Sequence, residues 1–204
     1  MKDINVEKKL KSFLFERYDP LEKAGAPLFE MVEEVSGRTM TLRPVWIIGD
    51  LMMIYEWLNA ALCKTNWKIN LKKISLMQHY SQMLRSDRMQ SFIVEQNHIP
   101  VMQVDLLPVR LANLSATIKL TDAEYAIQYI YRESFRDPDI FKRSMEFFIP
   151  YVFSFPDITS LYIRIPDAGA SMHELMVLMG FNLLKLNNFF GKSLNIYKMT
   201  SRAI

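Results

Sequence analysis

YAIQYIYR (residues 125–132), ESFRDPDI (133–140), FKRSMEFFIPYVF (141–153), LYIRIPD (161–167) and ASMHELMVLMGF (170–181) together decide how this chain is organised. Two short runs rich in β-branched and aromatic residues flank a segment whose apolar residues recur at helical spacing. Strand, loop, helix, strand and helix in that order form a crossover unit, the connection that lets neighbouring strands lie parallel. The loop at 135–141 then precedes a helix N-terminus, where free backbone N–H groups and the positive end of the helix dipole attract phosphate.

Upstream, the pattern predicts a strand at 39–45 and a helix at 50–62 capped by Asp50, with Leu51, Ile54, Tyr55 and Leu58 as its apolar stripe. A second helix follows at 71–85, with Ile74, Met77 and Leu84 on one face. Two strands at 91–95 and 100–107 are joined by a turn at Gln96 and Asn97. Downstream, Gly180 ends the last helix in a left-handed conformation, and strands at 182–186 and 193–199 close the chain. The expected fold is mixed α/β around one sheet, with antiparallel pairs early and late and a parallel pair in the middle. Residues 1–37 read as an N-terminal helical extension, with Leu10, Phe13, Leu14 and Tyr18 at roughly helical spacing, and residues 38–204 as the main domain.

The 204 residues suffice to bury a core, and half of them are hydrophobic. The net charge of +3 arises from 25 basic and 22 acidic residues with no sustained basic block, which argues against a nucleic-acid surface. One cysteine, Cys63, allows no disulfide within the chain and supports no metal cluster. The start, MKDINVEKKLKSFLF, carries charges where a secretory signal needs an apolar run, and no stretch has the length of a membrane-spanning helix. These features predict a cytoplasmic protein that neither binds nucleic acid nor enters a membrane.

Several short strings carry a resemblance in sequence order. They are TLRPV at 41–45, Asp50 with Leu51, EWLN at 56–59, Trp67, QVDL at 103–106, IRIPD at 163–167, LMGF at 178–181 and GKSLNIYKM at 191–199. Together they resemble the GNAT acyltransferases of the siderophore-biosynthesis type, the hydroxylysine and lysine N-acyltransferases related to the aerobactin acetylase. The likeness covers about residues 28–200.

The resemblance implies a GNAT-like mixed central sheet, helices on both faces, and a parallel strand pair splayed to form the cofactor cleft. It implies acyl-CoA, acetyl-CoA or a longer homologue, as co-substrate, and a small-molecule amine or hydroxylamine as acceptor. Transfer would be direct, with a base to deprotonate the amine and a donor to stabilise the oxyanion. Carried over by position, Asp167, Asp105 and Gln128 are the catalytic candidates. Ile130, Tyr131, Arg132, Arg136 and Ile140 are the CoA-contacting candidates, Trp57, Asn59 and Trp67 line the acceptor pocket, and no residue is assigned to a metal. A homodimer or a protein partner is compatible with the same reading.

Departures from the family pattern fall around one ligand. Where a phosphate loop needs glycines, so that backbone N–H groups can approach the anion, the chain reads Arg136, Asp137, Pro138, Asp139, Ile140 and Phe141. Asp137 and Pro138 make a helix start in their own right. Gln128 stands where the family carries a histidine, and Gly169 and Ala170 where it favours arginine and asparagine. The alternative reading is therefore a GNAT-fold binding or interaction module that has lost CoA and catalysis.

Each candidate also has a plain structural reading. Asp167 is either a base or orienter of the amine or the cap of the helix starting near Ala170. Asp105 is a cleft base or a solvated strand-end group, and Trp57 and Trp67 line a pocket or fill the core. His79, His98 and His173 have no partner visible in the sequence and read as surface or core residues. Arg136 contacts a phosphate or pairs with a neighbouring aspartate.

Overall fold

The computed structural model describes residues 15–22, 26–33, 36–60, 73–112, 121–131, 138–166, 170–189 and 192–201. Its elements are β1 (Phe29–Val32), β2 (Thr39–Pro44), α1 (Ile47–Asn59), α2 (Lys73–Leu84), β3 (Gln90–Gln96), β4 (Ile99–Pro108), β5 (Glu124–Tyr131), α3 (Pro138–Phe153), β6 (Ser160–Pro166), α4 (Ala170–Leu178), β7 (Asn182–Phe189) and β8 (Lys192–Thr200). The strands form one sheet of eight in the order β1-β2-β3-β4-β5-β6-β8-β7. Every ladder is antiparallel except β5–β6, which the crossover through α3 makes parallel as the sequence predicts.

Alternation along the strands sends two sets of side chains to opposite faces. One set, including Leu42, Phe92, Val104, Tyr125, Ile127, Leu161, Ile163 and Tyr197, packs against Met145, Phe148 and Val152 of α3 and Met176 of α4. The other face carries a second cluster in which Ile93 and Ile130 meet Ile54 and Trp57 of α1 and Leu76, Tyr80 and Leu84 of α2. Among the described residues, no helix is long and apolar enough to cross a membrane.

Four local expectations are corrected. The segment assigned to a helical extension contributes β1, an edge strand paired with β2 from Phe29↔Leu42 to Val32↔Thr39. Asp50 is not the cap of α1, which begins at Ile47 with Trp46 as its N-cap. Instead, Asp50 reaches back from the first turn to accept the Trp46 N–H at 2.7 Å and pairs with both terminal nitrogens of Arg43 at 2.6 and 2.9 Å. On α2 the buried residues are Leu76, Tyr80, Met83 and Leu84, while Ile74 is exposed, so the inward face is rotated from the predicted one. The β3–β4 turn lies one position later than read, at Asn97 and His98, both with positive φ (50° and 62°), as a tight hairpin requires.

Gly180 ends α4 as predicted, with φ +88°, and Phe181 N–H bonds the Met176 carbonyl at 3.0 Å. That cap turns buried Phe181 into the core and sends the chain back along β7.

Candidate active site

The parallel ladder is short. It runs from Glu124↔Ser160 to Ile127↔Ile163 and stops, although β5 continues to Tyr131 and β6 to Pro166. Past that point β5 stays paired with β4 as far as Met102↔Tyr131, and β6 with β8 as far as Pro166↔Leu194. Each strand follows its outer neighbour, so the sheet divides into two arms with its apex at Ile127 and Ile163. Among the described residues, backbone N–H and C=O groups on the inner edges of both arms have no ladder partner, and such groups demand one. An extended ligand carrying amides, such as the pantetheine arm of CoA, fits that requirement.

Beside the apex, on the face covered by α1 and α2, lies a polar row. Ser91 of β3 stands opposite Asp105 of β4, and Asp105 opposite Gln128 of β5, the first β5 residue beyond the last β5–β6 pair. Asp105 is buried, with its side chain 1% exposed. Ser91 Oγ–H donates to its Oδ1, and Gln103 Nε2–H donates to the same oxygen at 2.6 Å. Its other oxygen, Oδ2, faces His79 of α2, whose Nε2 lies 3.6 Å away. That distance is too long for a hydrogen bond. Neither atom has another partner among the described residues.

This arrangement sets the charge of the site. The Asp105 carboxylate raises the His79 pKa above its ordinary value, against the opposing effect of burial. Tyr80, stacked edge-on against His79 with ring centroids 5.2 Å apart, is fully enclosed, and burial together with Asp105 pushes its hydroxyl well above the usual range. Tyr80 therefore stays neutral, and His79 is the group that can exchange a proton near neutral pH. Its side chain is 42% exposed, so the ring connects a buried carboxylate to the surface.

The predicted site residues are distributed as follows. Asp105 and Gln128 are brought together as register neighbours, and Asp105 is buried rather than solvated. Ile130 packs in the α1–α2 cluster, while Ile140, a residue of α3, is buried in the cluster on the opposite face. Tyr131 is half-buried on that α3 face, stacked on Tyr129 at 6.1 Å, and Tyr129 meets Phe141 at 5.0 Å. Trp57 is a core residue of the α1–α2 cluster, and exposed Asn59 donates from Nδ2 to the Tyr55 carbonyl at 2.7 Å. Asp167, Arg132, Arg136 and Trp67 lie outside the described residues. At the start of α3, Pro138 opens the helix and exposed Asp139 sits in its first turn, a poor setting for diphosphate. No group of three or more His, Cys, Asp or Glu side chains converges to hold a metal ion among the described residues.

His79 is the functional candidate that sequence reasoning missed. Its partner stands on a different element, and only the packing of α2 over β3 and β4 brings them together.

No protein-family model matches the chain, and no curated protein matches it either. Solved structures do. An uncharacterized protein from Bacillus halodurans superposes with a TM-score of 0.74 at 17% identity, covering 87% of this chain and 92% of that one. The aminoglycoside acetyltransferase AAC(6')-Ib, in complex with coenzyme A and kanamycin, gives 0.66 at 16% identity over 80% of this chain and 96% of its own. A mutant of the spermidine N-acetyltransferase SpeG from Vibrio cholerae gives 0.62 at 14% identity over 79% and 94%. At these identities the likeness is one of fold: the chain has a GNAT-like fold, an open mixed sheet of eight strands with one parallel pair and helices on both faces.

Proposed function

We propose that this protein is an N-acyltransferase that moves an acetyl or longer acyl group from acyl-CoA to the amine or hydroxylamine of a small molecule. The observation that carries this reading is the end of the β5–β6 ladder at Ile127 and Ile163, directly beside the buried Asp105 and its neighbour His79. Bound in the split, acyl-CoA supplies the acyl group as an activated thioester. The inner-edge backbone of residues 128–131 holds the pantetheine amides, and Arg132 and Arg136 are the candidate phosphate contacts.

An amine attacks only when neutral, so the site needs a base. His79 takes the proton at Nδ1, the ring nitrogen turned away from Asp105. Asp105, held in place by the Ser91 and Gln103 donors, stabilises the imidazolium so formed. Gln128 offers an amide at the apex to orient the acceptor. Asp167, next in sequence after Pro166, is the second carboxylate candidate. The finer assignment to siderophore biosynthesis rests on the ordered motifs from TLRPV to GKSLNIYKM.

The test is release of free thiol from acetyl-CoA and longer acyl-CoAs across a panel of amines and hydroxylamines, with the acylated product identified by mass. Amine-dependent thiol release that falls on His79→Gln supports the reading. No release with any donor and acceptor above the buffer rate rejects it.

One observation favours a second reading. Tyr129, Tyr131 and Phe141 form an aromatic group on the α3 side of the β5 arm, and the loop before α3 has no glycine. A GNAT-fold interaction module that does not bind CoA would have this character. Calorimetric titration with acetyl-CoA separates the two, since the module gives no binding heat.

A further inference from the structure

The helix that carries His79 has apolar residues on both of its sides. Leu76, Tyr80 and Leu84 of α2 face the sheet, in the cluster with Ile54 and Trp57 of α1. On the outer side Ile74 is 54% exposed, and one turn later half-buried Met77 opens a groove of about 690 Å³. Among the described residues the groove is lined by Met77, Gln78, Ser81, Gln82, Arg85 and Ser86, which repeat at the three- and four-residue spacing of a single helix face.

The N-terminal chain joins the described fold at one end of this groove. Phe15 N–H donates to the Asp87 carbonyl at 3.1 Å, Tyr18 N–H to the Leu84 carbonyl at 2.9 Å, and Gln90 Nε2–H to the Glu16 carbonyl at 3.1 Å. Arg17 pairs with Asp87 at 3.2 Å, and Phe15 is buried in the core. Residues 1–14 therefore depart from beside Asp87, one position from Ser86. The lining from Met77 to Ser86 extends about 14 Å, and fourteen residues cover about 21 Å even at the helical rise.

The sequence of that segment, MKDINVEKKLKSFL, complements the groove. Val6, Leu10 and Phe13 recur at i, i+4 and i+7, an apolar stripe to set against Ile74 and Met77. At helical spacing Asp3 and Glu7 border the stripe, and Lys8 and Lys9 fall away from it. α2 begins with Lys73, is followed by Arg85 and contains no carboxylate, so an acidic border suits it.

We propose that residues 1–14 dock into this groove, so that α2 is clamped between the sheet and the N-terminal segment. Gln78 and Gln82 stand one and three positions from His79, and a segment lying over them narrows the path between the His79 ring and bulk water. The contact does not depend on acyl transfer.

The experiment uses the full chain with Cys63→Ser and two introduced cysteines under mild oxidation. Leu10→Cys with Ser81→Cys puts both thiols at the contact, whereas Lys8→Cys with Ser81→Cys puts one on the opposite side of the same tether. A disulfide needs β-carbons about 3.5–4.5 Å apart, so the Leu10 pair should close about tenfold faster than the Lys8 pair, within one chain. In a second variant, Leu10→Asp with Phe13→Asp, the amides of residues 77–84 should exchange about 10- to 100-fold faster, as two apolar side chains lose their burial. Far-UV circular dichroism is the folding control. Equal closure rates for the two cysteine pairs overturn the inference, and so does α2 exchange that the aspartates leave unchanged. Disulfides that join two chains and slow on dilution also overturn it, because the groove would then hold a second copy. If the aspartate variant loses its fold, the cysteine pairs decide alone.

Discussion

His79 Nε2 stands 3.6 Å from Asp105 Oδ2, one side chain reaching the surface and the other enclosed within the sheet. A buried carboxylate beside a partly exposed imidazole is a base with its proton path already built. His79→Gln keeps much of the packing and removes the proposed base. It should lower kcat by about 10²- to 10⁴-fold with little change in melting temperature, as read from steady-state thiol release.

The pH profile follows from the same pair. His79 works when neutral, so kcat/KM should rise with pH through its pKa, which Asp105 holds above the ordinary 6.5. Asp105→Asn removes the raising influence and leaves burial, which lowers the pKa. The acid limb should therefore move to lower pH in the variant, while its plateau falls because a weaker base is left. A limb that stays in place would assign the titration to another group.

The crossover unit was readable from sequence because its signals are local. Alternating apolar residues in 125–132, the helical spacing of 141–153 and Gly180 each record a backbone preference within a few residues of chain. β1 was missed because it is only Phe29–Val32, too short for period-two alternation to show. The turn at Asn97 and His98 was read one residue early because a hairpin's register is fixed by both strands together. The site was half legible. Asp105 and Gln128 could be named individually, but their adjacency is a property of strand register and their link to His79 one of helix packing.

Asp50 should prove a stability residue rather than a catalytic one. It is 7% exposed, accepts from both terminal nitrogens of Arg43, and satisfies the Trp46 N–H at the start of α1. Asp50→Ala leaves a largely buried guanidinium, 16% exposed, short of one partner, though Glu95 still accepts from Arg43 Nε at 2.7 Å. Breaking such a buried pair costs about 3–5 kcal/mol, and the remaining Glu95 bond argues for the lower end. The melting temperature should fall by about 6–12 °C, measured by calorimetry or circular dichroism.

The acidic start of α3 should weaken the grip on the donor. Asp139 lies in the first turn of the helix, and Asp137 precedes Pro138 in the sequence. A unit charge about 4 Å from a phosphate is worth on the order of 1 kcal/mol in water, roughly fivefold in affinity. The double substitution Asp137→Gly, Asp139→Gly should tighten acetyl-CoA binding by fivefold or more at low salt and by less at high salt. Calorimetric titration at the two salt concentrations checks both statements.

The most direct test of the account is amide hydrogen exchange on the full chain with and without acetyl-CoA. The inner edge of β5 past Ile127 has no ladder partner among the described residues, and the proposed function puts the pantetheine arm there. Binding should slow exchange in residues 128–131 and 164–166, while the paired stretch at 124–127 changes little. Acetyl-CoA that binds without protecting those two arms, or protects a different surface, would contradict the assignment of the split as the acyl-donor site.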